Sequence, residues 1–497
     1  MLFSSPLFLF LFLPLVLAAY YVLDRRFRNL ILLVASLIFY AWGEVLMVWL
    51  MVISCLANWG FGWWVDRARE RGRGKGVVAL ATVFNLSLLV AFKYADWLWN
   101  SLSSSLLAAG WIHQPFEPLS NLAAGNEFWT TALFDKGHIR LPIGISFFTF
   151  QAFSYVIDVY RRDGAMQKNP LSIMLYVALF PQLIAGPIVR YKDVDEQINS
   201  RAATWNSFAY GVRRFVLGLG KKMLIANAAA ELADKVFNTQ GGVSTPLAWL
   251  GIVAYTIQIY FDFSGYSDMA IGLGHMFGFR FLENFDHPYV SRSVTEFWRR
   301  WHMSLSTWFR DYLYIPLGGN RGSPARTYFN LVLVFFLCGL WHGASETFVV
   351  WGLYHGAFLV IERLGLGRWL GQRPVWLRHA YLLLVVMVGW VFFRATSLPQ
   401  AFTFLGAMFG AGAESSLQPV ALFVDSRIAT ALIAGVIGSM PWLPALEAWH
   451  ARSTSFGWSA RAVSLEFVGL ILIMALLVAS SLELASNSYN PFIYFRF

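Results

Sequence analysis

The chain has 497 residues, of which 57% are hydrophobic, 17% aromatic and only 13% charged, with a formal net charge of +10. Average soluble domains carry about 25% charged residues, so a soluble multi-domain enzyme is excluded. The excess Lys and Arg sits beside apolar runs, which is the positive-inside pattern of a membrane protein in a lipid bilayer and not the patch of a nucleic-acid binder.

Only helices and closed barrels satisfy their backbones in lipid. The apolar runs have the length of spanning helices, about 20 residues, and the strict alternation of barrel strands is absent. The expected fold class is therefore an all-α polytopic membrane protein, read as one integral-membrane unit over residues 1–497.

The opening stretch "MLFSSPLFLFLFLPLVLAAYYVLDRR" lacks a positive n-region, and its apolar run is too long for a signal peptide. Arg25, Arg26 and Arg28 follow the run. An uncleaved helix is expected, starting outside and delivering these arginines to the cytoplasm. Further apolar runs lie near 29–43, 45–65, 76–99, 143–160, 171–189, 208–228, 247–277, 328–343, 347–362, 379–395, 427–447 and 463–485. By length these make roughly eleven to thirteen crossings, some of them re-entrant.

The second and third runs form a hairpin across Gly43 and Glu44. The third ends in "DRARERGRGKG", whose Arg67, Arg69, Arg71, Arg73 and Lys75 mark the cytoplasm. Residues 100–140, poor in Lys and Arg, then fall outside, and "YRRDGAMQK" from Tyr160 returns the chain inward. Beyond residue 190 the charge pattern is ambiguous. No internal repeat is visible. Cys55 and Cys338 are isolated, so no disulfide framework or cysteine metal site is expected.

Residues 258–279, "QIYFDFSGYSDMAIGLGHMFGF", set Asp262, Ser264, Tyr266 and Asp268 in an apolar context. Acids at membrane depth face a cavity or a partner. Asp262 could pair with an arginine of the 292–326 stretch, or these residues could line a tunnel. "GLGHMFG" lacks the strand context and third-glycine spacing of a dinucleotide fingerprint. The chain has no G-x-S-x-G elbow, which disfavours a serine hydrolase.

Residues 297–322, "FWRRWHMSLSTWFRDYLYIPLGGNRG", read as one amphipathic helix followed by a turn. At about 100° per residue, Trp298, Trp301, Leu305, Trp308, Phe309 and Tyr312 share a face with His302 on its edge. Arg299 and Arg310 lie beyond His302. Two readings stand: an interfacial helix meeting lipid phosphates, or the wall of a reaction chamber serving an anionic donor. "PLGGNRG" adds a turn with exposed amides, Asn320 and Arg321, which suits an anion.

In "FNLVLVFFLCGLWHG" an apolar run leads to Gly339 and Gly343, with Trp341 and His342 between them. Histidine is the natural general base near neutral pH, and small neighbours permit close approach of a helix or a ligand. A histidine bonded to a neighbouring helix is the plainer reading. His275, His287 and His355 are read as structural. No H-E-x-x-H or cysteine pair supports a metal.

The blocks "LPIGISFFTFQAFSYVIDVYRRD", "LFPQLIAGPIVRYKD", "IYFDFSGYSDMAIGLGHMFGFRFLENFDHPYVSRSVTEFWRRWHMSLSTWFRDYLYIPLGGNRG" and "GLWHGA" closely resemble the membrane-bound O-acyltransferase (MBOAT) family, most of all its bacterial polysaccharide branch. The likeness runs from the "MLFSSPLFLFLFLP" start to the terminal "YNPFIYFRF". It implies a fold of many helices around a transmembrane tunnel, with the catalytic core over 140–360. The family's invariant histidine matches His342. Its second characteristic position, about forty residues earlier, matches His302.

The resemblance further implies an inner-membrane acetyltransferase with no bound cofactor, which takes acetyl from a cytoplasmic donor, acetyl-CoA foremost. It passes the acetyl outward to a periplasmic esterase-like transferase that modifies an exported polysaccharide. Alginate leads as acceptor; cellulose, another exopolysaccharide or peptidoglycan are alternatives, and a proton-coupled transporter or export channel is the alternative class. On this reading His342 is the general base or briefly carries the acetyl, and His302 orients it or the acyl carbonyl. Arg299, Arg310, Arg321 and Asn320 would meet the donor's phosphates, and Asp262, Ser264, Tyr266, Asp268 and Trp341 would line the tunnel.

Overall fold

A computed structural model describes residues 1–123, 132–239, 242–412, 419–442, 460–486 and 489–491. The end of the apolar run 427–447, part of segment 100–140 and most of the terminal "YNPFIYFRF" lie outside these. The regular secondary structure of the described residues is helical apart from one antiparallel hairpin of two-residue strands pairing Phe134 with Ile139 and Asp135 with His138. Among the described residues seven helices are long and apolar enough to cross a membrane, with shorter apolar helices at Phe8–Val22 and Ser426–Gly438.

That number is below the run count for identifiable reasons. Arg28–Ala41 and Ile145–Arg161 are short helices. The run 171–189 is not a spanning helix at all. Its helix Pro170–Ala178 stops at Leu179, whose φ −55° and ψ 113° leave helical space before Pro181. After one helical turn, Phe180–Leu183, the chain runs through the protein interior without regular structure to Arg190. Its backbone groups are satisfied from neighbours: the Phe180 amide donates to Ser36 Oγ, and the Ile188 amide to Ser304 Oγ. Such backbone is tolerated at membrane depth only when buried in protein.

The central element is helix Thr245–Met276. Of its most apolar window 83% is buried in the protein, against 6% for Val463–Ser486, which faces outward. Its neighbour Trp205–Gly220 crosses it at glycines spaced seven apart on both sides. A Cβ on Gly218 would sit 2.5 Å from the Gly265 carbonyl, and one on Gly272 would sit 2.6 Å from the Gly211 carbonyl. Without a hydrophobic force between helices in lipid, this close approach is what holds them, through dispersion contacts.

The ambiguity past residue 190 is resolved by hydrogen bonds. Arg201 donates to Asn29 and to the Phe277 carbonyl, and Tyr20 donates to the same carbonyl. Arg69 donates to the Val159 carbonyl, and Arg161 to that of Asp311. Segments 20–29, 66–75, 159–168, 190–201, 277–280 and 310–321 therefore share one basic face.

Candidate active site

His342 is the last residue of helix Pro324–His342, and Ser345 caps the next helix, Glu346–Ile361. The two cross where a Cβ on Gly339 would lie 2.3 Å from the Phe348 carbonyl, and one on Gly352 would lie 2.3 Å from that of Phe335. The small residues flanking the histidine thus serve helix contact. The contact carries the His342 ring, 4% exposed, into a wall of Trp341, Trp351 and Phe393 with centroids 4.9, 5.0 and 5.0 Å away.

His302 does not lie on a continuous helix. Helix Val294–Arg300 ends at Trp301, and His302 takes φ 45° and ψ 52° before Met303–Phe309 resumes. A left-handed non-glycine residue is sparsely populated and persists only where the surroundings over-determine it. Here they do. Met303 donates its amide to the Asn284 carbonyl at 2.9 Å, and Asp286 donates its amide to that of Arg300 at 3.0 Å, which clamps the two strands of chain together. The apolar face expected of this stretch is real but buried in protein: Trp298, Trp301, Leu305, Trp308, Phe309 and Tyr312 are all core residues.

Asn284 sets the chemistry of His302. Its Nδ2 donates to Ser267 Oγ at 3.0 Å, and its Oδ1 accepts from the Ser304 amide at 3.2 Å and the Ser304 hydroxyl at 2.8 Å. A backbone amide can only donate, so this oxygen is an acceptor. His302 Nδ1, 3.1 Å from it, must then carry the proton. The tautomer is inferred from this network. It leaves Nε2 as a bare lone pair, buried and without a hydrogen-bond partner among the described residues. The two imidazoles lie beside one indole: His302 is 5.9 Å from the Trp341 ring and His342 is 4.9 Å from it.

Two residues of this centre were not legible in the sequence. Lys93 and Tyr94 end a π-helical turn, Val90–Tyr94, inside the long helix Gly74–Ala108. Lys93 Nζ donates to Ser146 Oγ at 3.0 Å and to the Trp341 carbonyl, while Tyr94 donates to the Leu340 carbonyl at 2.7 Å. They hold the final carbonyls of the His342 helix, the groups a helix end leaves unsatisfied. A lysine in the middle of an apolar run was the available signal.

The remaining candidates fall in three places. Trp341 lines an apolar cavity of about 630 Å³ that runs from Tyr160 and Arg161 on the basic face, past Trp308, to Tyr94 and Trp97. Val78 and Leu98 on its wall are about 30 Å apart along one helix. Asp262 and Asp268 instead occupy the interface with the Trp205–Phe237 segment. The expected arginine partner of Asp262 is replaced by Lys222, at 2.8 Å, and Asp268 is held by Lys221 and Arg214, each at 2.7 Å. A π-helical turn, Lys221–Ala226, lets consecutive lysines reach the same helix. Ser264 is buried there, and Tyr266 stacks on Phe3 at 4.5 Å.

Arg299, Arg310 and Arg321 are exposed, the last two on the basic face. Arg310 binds Asp311 at 2.7 Å, and Asn320 Oδ1 accepts from Tyr314 and Arg363. Burial opposes ionisation of Asp311, yet Arg310, Arg190 and Lys192 hold its carboxyl below the ordinary range. The glycine turn is less open to anions than its sequence suggests, since the amides of Gly318, Gly319 and Arg321 all bond within the turn. Among the described residues no group of three or more His, Cys, Asp or Glu could hold a metal ion.

The fold and its buried centre define a multi-pass helical membrane protein with three buried histidines among the described residues, two of which, His302 and His342, lie beside one indole. The profile of MBOAT, the membrane-bound O-acyltransferase family, matches residues 34–398. The chain is 43% identical to the probable alginate O-acetylase AlgI of Azotobacter vinelandii and 42% identical to that of Pseudomonas aeruginosa, each match covering 100% of both chains. It is 35% identical to a peptidoglycan O-acetyltransferase of Helicobacter pylori, over 82% of this chain and 80% of the relative. The chain belongs to the membrane-bound O-acyltransferase family, and it is an acyltransferase.

Proposed function

We propose that this protein takes acetyl from acetyl-CoA at the cytoplasmic face of a bacterial inner membrane and delivers it for O-acetylation of an exported polysaccharide, with alginate the first acceptor to test. The observation that carries the reading is the pair of buried imidazoles, His302 and His342, both next to the Trp341 ring. The full-length likeness to alginate O-acetylases directs the choice of acceptor. The shorter likeness to a peptidoglycan O-acetyltransferase makes peptidoglycan the second.

The chemistry follows from the groups present. His342 takes the proton of the acceptor hydroxyl as its oxygen attacks the thioester carbonyl. The C–S bond breaks, and the departing thiolate recovers a proton. General-base catalysis of this kind contributes about 10²–10⁴-fold. His302 is a positioning residue whose free Nε2 accepts a hydrogen bond from the attacking hydroxyl or from protonated His342. The apolar cavity along Trp341 is the donor's path from the basic face, where Arg161 stands at its mouth.

Among the described residues no extramembrane domain is large enough to hold a polymer. A periplasmic transferase of the serine-esterase type therefore completes the transfer.

The test compares the acetyl content of secreted polysaccharide from cells carrying the native protein and cells carrying His342→Ala at matched membrane levels. Loss of acetyl with unchanged polymer output supports the reading. Unchanged acetyl content overturns it.

A further inference from the structure

A second cavity, of about 340 Å³, opens on the basic face, away from the two histidines. It lies under the turn where helix Glu346–Ile361 passes through a π-helical stretch, Glu362–Leu366, into Gly367–Gly371 and back to Val375–Arg394. Arg292, Arg363 and Arg378 stand around it, and Leu331, Leu359 and Leu370 form an apolar wall. Three guanidiniums on so small a cavity repel one another unless something anionic is present.

The one acid in the wall does not supply that anion. Glu362 spends both oxygens elsewhere. It accepts from the amides of Val294 and Thr295 at 2.6 and 3.0 Å, from the Thr295 hydroxyl at 2.7 Å and from Tyr381 at 3.2 Å. Among the described residues none of the three arginines is ion-paired. Arg363 reaches only the amide oxygen of Asn320, at 3.0 Å, and Arg378 Nε is buried without a partner.

The surroundings say what kind of anion fits. Leu364, Trp369 and Trp376, all on this turn, are 61%, 46% and 70% exposed. Exposed tryptophans beside arginines mark the level of the lipid headgroups, and Arg373 lies over the Trp369 ring at 4.4 Å. A soluble anion would need no leucine and tryptophan around its site. A phospholipid needs both, a cationic pocket for its phosphate and an apolar surface for its chains.

We propose that Arg292, Arg363 and Arg378 form a binding site for the phosphate of an anionic phospholipid of the leaflet on the basic face. Guanidinium recognises phosphate by charge-assisted paired hydrogen bonds. The lipid would fix the Glu346–Arg394 hairpin, whose first helix packs on the His342 helix.

The experiment uses the purified full chain in detergent, loaded with phosphatidylglycerol or phosphatidylcholine and read by native mass spectrometry. Phosphatidylglycerol should be retained over phosphatidylcholine. Arg363→Gln/Arg378→Gln should weaken retention about 25-fold, about fivefold per arginine, while Arg363→Lys/Arg378→Lys keeps most of it. Arg292→Gln, at an exposed position, should lose about fivefold without disturbing the fold. Equal retention of phosphatidylglycerol by folded glutamine variants overturns the site. Displacement of the lipid by coenzyme A overturns the lipid assignment and makes this a site for a soluble phosphate ester.

Discussion

Two polar regions are buried in this membrane protein, and they treat their ionisable groups in opposite ways. Between Trp205–Phe237 and Thr245–Met276 charge meets charge: Asp262 with Lys222, Asp268 with Lys221 and Arg214. Around Trp341 the partners are of another kind. His302 meets an amide oxygen, Lys93 meets a hydroxyl and a backbone carbonyl, and His342 is walled by aromatic rings. A buried ion pair is spent on itself. A buried lone pair such as His302 Nε2 remains available to a substrate, at the cost of desolvating it. The acids at membrane depth are paired within the helix interface, which leaves the imidazoles for the proposed chemistry.

This contrast can be broken by substitution. The largest effect is expected at His342. Replacement by Gln should lower acyl transfer by about 10²–10⁴-fold, with the unfolding temperature in detergent nearly unchanged; a large drop in that temperature instead would make the residue structural. The paired region should show the reverse. Lys222→Met should destabilise by about 3–5 kcal/mol by stranding Asp262, and Lys222→Met/Asp262→Leu should recover most of that. Thermal unfolding of the two variants decides it, and failure of the double variant to recover would give the pair a role beyond stability.

Asn284→Ala removes the acceptor that sets the His302 tautomer. A loss of about 1–3 kcal/mol is expected, read as a fall in kcat about 5- to 150-fold with little change in KM. Asn284→Asp keeps the acceptor and should retain more activity than Ala. Lys93→Met frees the Trp341 carbonyl and should cost about tenfold in kcat, the value of one charge-assisted hydrogen bond. An equal loss in a variant that also removes Tyr94 would show that both act only through the helix end.

The smallest effect concerns Asp311, outside the spans. Its folded-state pKa is depressed by Arg310, Arg190 and Lys192, so its contribution is present above its unfolded pKa of about 4 and is lost as pH falls through the lower folded value. Asp311→Asn should be less stable than the native protein at neutral pH, and the gap should close in acid. A gap that persists at low pH would refute the electrostatic account.

The class of fold was legible because lipid imposes one rule on the chain it touches: apolar runs that face it must close their own backbone hydrogen bonds, as helices do. The basic side was legible up to residue 190 because arginines follow the runs directly. His342 stood out as an ionisable group framed by glycines in an apolar stretch. Even so, periodicity drew one helix through residues 298–312 where the chain breaks at His302. Helical spacing records which residues are apolar and cannot register a left-handed residue held by Asn284 from another segment. Pairing of Asp262 with Lys222, the aim of Lys93 at the end of a helix over two hundred residues away, and the gathering of Arg292, Arg363 and Arg378 around one cavity are likewise contacts between distant segments. The sequence by itself determined the medium, the helices and the residue types available for chemistry, since each depends on local composition. Which buried group neutralises which, and which is left with a free lone pair, only the tertiary structure decided, because in a low-dielectric interior the identity of the nearest neighbour outweighs every local preference.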